Sequence, residues 1–205
     1  MSIQPRFTGH ILNTATKGHT IDLYFDYVCP FCAKAWKTIR GSVIDAAEAK
    51  YPNTFSWVFR HTVQPWHPAS TLVHEAALAV ESLAPAKFWD FSDALFEHQK
   101  DYFDTVVYHE SRLQTYERLA KLAKESVGVE EKAFLDLVSI PPSETPSNGG
   151  NKVTNNLKLF IRQHRQNSVH MTPSLAVDGI ISPAFSSSWT TEQWVEFLDG
   201  VVAAK

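Results

Sequence analysis

The pattern of hydrophobic and polar positions in the first third of the chain predicts a strand, a helix and a second strand. Residues 7–12 are predicted to form a short edge strand and residues 20–27 a central strand, since β-branched and aromatic side chains are frequent there. Apolar residues recur at helical spacing over residues 30–50, with a kink expected at the Gly-Ser pair of residues 41–42. Alternation over residues 55–63 predicts a second central strand, which suits a right-handed crossover between parallel strands.

The remaining chain is mainly helical in pattern and returns to strands near its end. Helical faces are predicted across residues 72–138, followed by an exposed loop over residues 140–150, which are rich in proline, serine and glycine. A further helix is expected over residues 153–166. Residues 171–181 predict a β-hairpin, because an Asp-Gly pair separates two strand-like runs. A capping box that begins at Thr190 predicts a closing helix.

Composition and charge limit the classes of partner and the location. The chain has 205 residues, of which 44% are hydrophobic and 12% aromatic, which is enough for a packed core. The formal charge of −3 gives no reason to expect nucleic acid or an anionic membrane as a partner, and no run reaches the ~20 apolar residues of a membrane span. The first residues lack the apolar run of a secretory signal, so a cytoplasmic location is expected.

The two cysteines of the chain, Cys29 and Cys32, lie where the first central strand gives way to the helix. Pro30 suits the first helical position, because its fixed φ is helical and its missing N–H would be unpaired there. Cys29 is then the N-cap residue, where free backbone N–H groups and the helix dipole favour a thiolate, whereas Cys32 falls on the buried face. Such settings lower a thiol pKa of ~8.5 by roughly one to five units. The pair is therefore predicted to be redox-active.

Two other interpretations of the cysteines are weaker. Two thiols in a chain of this length can simply be small buried hydrophobic side chains, but chance seldom places a CxxC with an internal proline at a strand-to-helix junction. A structural zinc site needs four ligands, and the sequence supplies two sulfurs. His61, His67 and His74 could complete such a site, but they are scattered over strand, loop and helix patterns, which favours surface or core histidines. No metal is predicted.

The element order and two short motifs resemble a known superfamily. With Cys-Pro-Phe-Cys at the start of the first long helix and Thr172-Pro173 opening the hairpin, the chain resembles the thioredoxin superfamily, and within it the DsbA-like thiol-disulfide oxidoreductases. The resemblance implies an α/β, thioredoxin-like fold formed by residues 1–65 and 151–205, with an inserted all-helical subdomain at residues 66–150. It covers the whole chain in element order, and only the two motifs carry specific sequence signal.

The resemblance also implies roles for particular residues. Cys29 matches the exposed nucleophile of the family and Cys32 its buried resolving thiol. Thr172 and Pro173 match the cis-proline loop, which faces the two cysteines and lends backbone groups to an extended substrate strand. These four residues are therefore candidates for the catalytic and substrate-binding site.

The chain departs from the family pattern at two positions. DsbA-type oxidases usually have histidine between the proline and the second cysteine, whereas this chain has Phe31 there. Pro30 and Phe31 are both candidates for contact with the substrate. Without an imidazolium the thiolate loses one stabilising partner, so a less oxidising couple than that of periplasmic DsbA is expected. Many relatives carry a buried acid six residues before the first cysteine, where this chain has Leu23. Asp26 is a candidate for relaying a proton to Cys32, or else an aspartate that caps a turn.

Two further sets of side chains could shape the surface of the site. Lys34 and Lys37 lie within two turns of the nucleophile and could add positive potential, although exposed lysines on a helix are the commoner explanation. Phe31, Trp66 and Phe185 could form an apolar rim for a peptide substrate, although single exposed aromatic residues are normal.

The predicted function is thiol-disulfide exchange through the Cys29/Cys32 couple, on a disulfide- or dithiol-containing protein or a small thiol. No nicotinamide or flavin fingerprint is visible, so no cofactor is expected, and glutathione or another protein would exchange the electrons. Two alternatives stay open. One is a glutathione-dependent transferase or isomerase of the kappa-class or chromene-carboxylate isomerase type, families that typically have serine at the position of Cys29. The other is a non-enzymatic adaptor that binds a partner through its helical insertion.

Overall fold

A mixed β-sheet forms the centre of the protein. The computed structural model describes residues 3–15 and 18–204. Its strands are β1 Ile11–Leu12, β2 His19–Phe25, β3 Phe55–His61, β4 Ser174–Val177 and β5 Ile180–Ile181. They lie in the order β1-β3-β2-β4-β5, with β2 and β3 parallel and the other neighbours antiparallel. The two strands that the sequence pattern predicts as central therefore lie inside the sheet.

Helices make up most of the chain outside the sheet. They are α1 Pro30–Thr38, α2 Ile44–Lys50, α3 Ser70–Leu83, α4 Phe88–Glu97, α5 Asp104–Val107, α6 Arg112–Val127, α7 Glu131–Val138, α8 Thr154–Gln166 and α9 Thr191–Ala203. Short 3-10 helices lie at Pro5–His10, Pro85–Lys87 and Gln99–Tyr102. Helices α3 to α7 lie between β3 and α8, the part of the chain in which the inserted subdomain is predicted. Its boundaries at residues 66 and 150 stay a prediction.

The first long helix changes its winding near the predicted kink. Helix α1 ends at Thr38, and a π-helical turn over Ile39–Val43, which includes Gly41 and Ser42, leads into α2. Thr38 and Ile44, on either side of this turn, both keep α-helical backbone angles. The wider turn therefore shifts the helical face without breaking the crossover between β2 and β3.

The predicted edge strand over residues 7–12 is wrong for its first part. Residues Pro5–His10 form a 3-10 helix, and only Ile11–Leu12 pair with β3. Phe7 and His10 are both buried, with ring centroids 4.9 and 4.7 Å from that of Phe160. Two residues three positions apart point to opposite faces in a strand but lie near one another in a helical turn. Packing of both rings against one partner therefore selects the helical turn.

Strand β2 is buried on both faces. Ile21, Leu23 and Phe25 are fully buried on one face. On the other face the buried Asp22 accepts a hydrogen bond of 2.7 Å from Nε of Arg60 in β3. A charge buried at this depth is tolerated when it is paired, because desolvation of a lone carboxylate is costly. The strand thus remains in the interior despite its acidic residue.

The structure shows a glycine C-cap at the end of α6 and confirms two signals predicted from the sequence, the Asp-Gly hairpin turn and the capping box at Thr190. Helix α6 ends at Gly128, whose φ of 73° is the left-handed conformation of a helix C-cap. The hairpin between β4 and β5 turns at Asp178 and Gly179, which have φ of 51° and 84°. Helix α9 begins with a capping box, in which Thr190 and Gln193 exchange side-chain and backbone hydrogen bonds.

A buried carboxylate ties the inserted helices to the rest of the chain. Glu75 of α3 is 1% exposed and accepts hydrogen bonds from Arg112 (3.0 Å), Asn151 (2.9 Å) and Thr154 (2.7 Å), as well as from the hydroxyl of Tyr116. These donors belong to α6 and to the segment that opens α8. A single acid therefore joins α3 and α6 to the point where the chain returns to the sheet.

We expect Glu75→Ala to lower the free energy of unfolding by about 3 kcal/mol or more, because it leaves buried donors without their acceptor. Urea unfolding followed by circular dichroism measures the change. Lys132→Ala is the matched control, since its ion pair with Asp136 lies on the surface, and we expect a change below about 0.5 kcal/mol. Equal effects of the two substitutions would contradict the structural role of Glu75.

Candidate active site

The CxxC motif lies at the start of α1, as the sequence predicts. Cys29 is the N-cap residue, with extended backbone angles (φ −80°, ψ 119°), and Pro30 is the first helical residue. The carbonyl oxygen of Cys29 accepts hydrogen bonds from the N–H groups of Cys32 (3.0 Å) and Ala33 (3.2 Å), which closes the first turn. Both cysteines are free thiols. The motif is therefore held by the ordinary geometry of a helix start.

The nucleophilic cysteine is less exposed than the resemblance implies. Cys32 is fully buried, but Cys29 is also only 5% exposed. In its protonated form the thiol donates to the carbonyl oxygen of Thr172 at 3.6 Å, so the chain segment before β4 covers the sulfur. The adjoining side chains of Phe31 and Met171 are 64% and 70% exposed. The expectation of an exposed nucleophile is thus corrected to a shielded sulfur bordered by exposed apolar side chains.

The surroundings move the pKa values of the two thiols in opposite directions. A hydrogen bond from the Cys32 thiol lowers the pKa of Cys29 to about 6, against the effect of burial, and the N–H groups of Cys32 and Phe31 and the side chain of Thr172 act in the same direction. Burial, followed by the proximity of Cys29, raises the pKa of Cys32 well above its usual value. Near neutral pH, Cys29 is therefore the thiolate and Cys32 the thiol.

Sheet pairing brings the Thr172-Pro173 loop to the cysteines. The peptide bond between these two residues is cis. Strand β4 begins directly after Pro173 and pairs with β2, so that Ser174 lies opposite Tyr24. Since β2 leads into the CxxC turn, the same pairing places the loop beside Cys29. The expected contacts of Pro30, Phe31, Thr172 and Pro173 with a substrate stay predictions.

Asp26 is the most densely hydrogen-bonded group near the cysteines. Its carboxylate is fully buried. One oxygen accepts from the N–H of Val28 (2.9 Å) and the hydroxyl of Ser70 (2.8 Å), and the other from the N–H of Gln64 (3.0 Å) and Nδ1 of His67 (2.9 Å). These donors come from the turn that holds the CxxC motif, from the loop between β3 and α3, and from the start of α3. One carboxylate therefore fixes three chain segments against one another.

The hydrogen bonds keep Asp26 ionised. Burial would raise the pKa of this carboxyl group, but hydrogen bonds from His67, from His74 and from the N–H of Val28 outweigh it and place the pKa well below the usual range. The group that donates to Sγ of Cys32, at 3.4 Å, is the backbone N–H of Asp26. These contacts are those of an aspartate that anchors a turn, and the relay of a proton to Cys32 stays a prediction.

Buried histidines extend inward from Asp26. Nε2 of His74 lies 3.4 Å from a carboxylate oxygen of Asp26, and the Nδ1 atoms of His74 and His61 are 2.6 Å apart. The ring of His10 packs 4.8 Å from that of His61, and its Nδ1 lies 2.7 Å from the buried carboxylate of Glu81. Two of the histidines that look scattered in the sequence are thus neighbours in the core. No group of three or more potential ligands within residues 3–15 and 18–204 is arranged to hold a metal ion.

The sequence held a signal for this cluster. Ser70 and His74 are four residues apart on one side of α3, and His67 lies three residues before Ser70 in the loop that leads into this helix. Gln99 had no such signal, because it lies in a short 3-10 segment after α4. Its side-chain amide donates to the carbonyl oxygens of Tyr27 (2.6 Å) and Cys29 (2.9 Å). The helical segment therefore contacts the backbone of the CxxC turn directly.

The outer side chains named from the sequence are only partly brought together. Phe31 and Trp66 are 64% and 61% exposed and remain available for an apolar rim. Phe185 instead packs against Trp194, with ring centroids 5.4 Å apart, because the segment before α9 folds onto that helix. Lys34 is exposed and donates to the hydroxyl of Ser188 at 2.9 Å.

The fold is similar to that of solved oxidoreductase structures. A proposed protein-disulfide isomerase from Pseudomonas syringae has a TM-score of 0.72 at 18% identity, with 94% of this chain and 99% of that chain covered. BdbD from Bacillus subtilis, in its oxidised form, has a TM-score of 0.65 at 18% identity, with 98% of this chain and 95% of that chain covered. The thiol-disulfide exchange protein alpha-DsbA2 from Wolbachia pipientis has a TM-score of 0.62 at 17% identity, with 93% of this chain and 86% of that chain covered. The predicted α/β, thioredoxin-like fold with inserted helices, of the DsbA type, is confirmed.

Comparisons by sequence add little to this. No protein-family model matches the chain. A curated relative, the Na(+)/H(+) antiporter NhaA 1 from Mycolicibacterium vanbaalenii, is 35% identical over 79 residues, which are 38% of this chain and 12% of the antiporter. The chain thus spans about an eighth of the length of that relative. Among the helices of the described residues, none combines the length and the apolar character of a membrane span.

We expect the thiolate absorbance of the reduced protein at 240 nm to rise with pH through a midpoint of about 6, because the Cys29 pKa is lowered to about 6 in the folded state. Cys32→Ala should raise the midpoint, since it removes the strongest hydrogen bond to the thiolate. Cys29→Ser is the control and should abolish the step. A midpoint near the ~8.5 of a free thiol would contradict the stabilisation described for Cys29.

Proposed function

We propose that this protein is a thiol-disulfide oxidoreductase that acts through the Cys29/Cys32 dithiol couple. The observation that carries the proposal is the geometry of the motif, in which Cys29 is the N-cap residue of α1 and Cys32 is fully buried one turn further on. This arrangement moves the pKa values of the two thiols in opposite directions. A nucleophile needs to be ionised at working pH, and a resolving thiol needs to stay protonated until it is used. The DsbA-type fold, shared with structures described as a protein-disulfide isomerase and a thiol-disulfide exchange protein, supports the same function.

The exchange proceeds in two displacements. The Cys29 thiolate attacks one sulfur of a substrate disulfide, forms a mixed disulfide and releases the other substrate sulfur as a thiol. Cys32 then loses its proton and attacks Cys29, which releases the second thiol and leaves the Cys29–Cys32 disulfide. The reverse sequence oxidises a substrate dithiol. Because Cys32 is fully buried, the substrate disulfide reacts first with Cys29, and the mixed disulfide forms there.

The substrate class we infer is an extended peptide, or a small thiol such as glutathione, that presents a disulfide or dithiol. The Thr172 carbonyl lies at the sulfur, and a peptide strand laid beside this loop could pair with its backbone groups. The exposed rings of Phe31 and Trp66 are available for apolar contact with such a peptide. Glutathione is the redox partner expected in the cytoplasm, the location predicted from the sequence.

The alternatives have less support. Kappa-class transferases and chromene-carboxylate isomerases typically have serine at the position of Cys29, where this chain has a cysteine with a pKa of about 6. An adaptor with a vestigial dithiol would not need a stabilised thiolate. Neither alternative accounts for the pairing of a low pKa at Cys29 with a high pKa at Cys32.

We expect the wild-type protein to accelerate the reduction of insulin disulfides by dithiothreitol, and Cys29→Ala to show no acceleration because the nucleophile is absent. Cys32→Ala should instead accumulate a mixed disulfide at Cys29, which mass spectrometry detects. Wild-type rates equal to those of Cys29→Ala would favour the adaptor. Retention of a glutathione-dependent activity by Cys29→Ser and Cys32→Ser would favour the transferase or isomerase.

We expect Phe31→His to make the couple more oxidising, because an imidazolium near Cys29 stabilises the thiolate of the reduced form and not the disulfide. Each unit by which the Cys29 pKa falls should raise the reduction potential by about 30 mV. Equilibration with glutathione buffers measures the potential. Phe31→Leu serves as the control for loss of the ring. Equal reduction potentials for the two variants would contradict the expectation that a histidine at position 31 makes the couple more oxidising.

A further inference from the structure

His67 lies beside the cysteines in a position that the exchange mechanism above does not use. It is in the loop between β3 and α3, and its side chain is 18% exposed. It lines a surface cleft of about 300 Å³ together with two residues of the CxxC turn, Val28 and Pro30, and with a short segment before and within α5, Phe103, Asp104 and Thr105. The cleft therefore joins His67 to the start of α1 at the protein surface.

The hydrogen bond to Asp26 fixes the orientation of this imidazole. Nδ1 of His67 lies 2.9 Å from a carboxylate oxygen of Asp26. Asp26 also accepts three other hydrogen bonds, so its carboxylate is ionised and rigidly held. A carboxylate in this position keeps the proton on Nδ1 and makes Nε2 the nitrogen that gains and loses a proton. The arrangement is that of an acid–base dyad.

The charged and titratable groups around His67 are mostly negative. Asp26 faces it from the end of β2, Cys29 from the CxxC turn and Asp104 from α5, and each raises the pKa of the imidazole above its usual value, against the effect of burial. His74 of α3 approaches the same carboxylate at 3.4 Å from the interior. The imidazolium form is therefore favoured while Cys29 is a thiolate, so a proton donor and a nucleophile are present at the same pH.

We propose that His67 is the acid–base group of the exchange, which gives a proton from Nε2 to the substrate sulfur that leaves when Cys29 attacks. The proposal rests on the proposed function and adds a residue to it. In this step the substrate S–S bond breaks and the bond between Cys29 and one substrate sulfur forms. The other sulfur departs with the electron pair of the broken bond and takes the proton of His67, which becomes neutral.

The second displacement needs one more proton, which Cys32 supplies. The Cys32 thiol loses one proton, its sulfur bonds to Cys29, and the remaining substrate sulfur leaves and is protonated. The proton that Cys32 gives up equals the one that this sulfur gains, and neutral His67 is the group at the cleft that can carry it. Two electrons therefore pass from the dithiol to the substrate, together with one proton from Cys32 and one from His67, and His67 regains its proton from solvent before the next cycle. No other oxidant or reductant is involved.

His67→Asn tests the proposal, because asparagine can keep a hydrogen bond to Asp26 but cannot exchange a proton near neutral pH. The reduced protein is reacted with an alkyl disulfide, whose leaving thiol is weakly acidic, and with a nitro-aromatic disulfide, whose leaving thiolate needs no proton. We expect the variant to slow the reaction with the alkyl disulfide by about tenfold or more, where a fully engaged general acid contributes a rate factor of ~10². The reaction with the aromatic disulfide should keep its rate. The alkyl rate of the wild type should fall as pH rises above the pKa of His67, and that limb should be absent in the variant.

His19→Asn is the matched control. His19 also places Nδ1 at 2.7 Å from an aspartate, Asp178, but it lies at the start of β2, at the opposite end of the strand from Cys29. The His19→Asn substitution should change the rate of neither reaction. Equal slowing of both substrates by His67→Asn would mean that the residue only supports the structure, and no slowing would mean that it has no role; either result overturns the proposal. A wild-type protein that reacts with neither disulfide would overturn the proposed function itself.

Discussion

The burial of one carboxylate governs the arrangement around the cysteines. Asp26 has no exposed surface, so every lone pair that water would satisfy must be satisfied by protein donors. The donors come from the turn that follows it and from the loop that leads into α3, which forces these segments together. The position of the helical segment relative to the sheet therefore depends on a charge and not only on apolar packing.

The same architecture separates the chemistry of two identical side chains. Cys29 is the N-cap residue of α1, where the N–H groups of Cys32 and Phe31 help to lower the pKa of its thiol, and Cys32 lies one turn deeper, where it is fully buried. The difference between them arises from the position of each sulfur along a helix axis. The pairing of β4 with β2 also brings the carbonyl oxygen of Thr172 to the sulfur of Cys29, which covers this sulfur.

Features set by neighbouring residues could be predicted from the sequence, and features set by distant contacts could not. The helix start at Cys29 and Pro30, the Asp178-Gly179 turn and the Thr190 capping box each follow from a few adjacent residues. Residues 7–10 were wrongly expected in a strand, because their conformation depends on Phe160, which lies far away in the sequence. The partners of Asp26 cannot be predicted for the same reason, because they come from the CxxC turn, the loop after β3 and the start of α3.

The amide of Gln99 has a consequence for how this protein can be divided. It spans the carbonyl oxygens of Tyr27 and Cys29, so a residue of the helical segment completes the backbone hydrogen bonding of the catalytic turn. A minimal thioredoxin-like unit cut out of the chain would carry both cysteines but would lose the Gln99 donor to both oxygens, and the oxygen of Cys29 would keep only the N–H groups of Cys32 and Ala33. The helical segment thus helps to fix the turn that holds the two cysteines, and replacing it would change the surroundings of that turn.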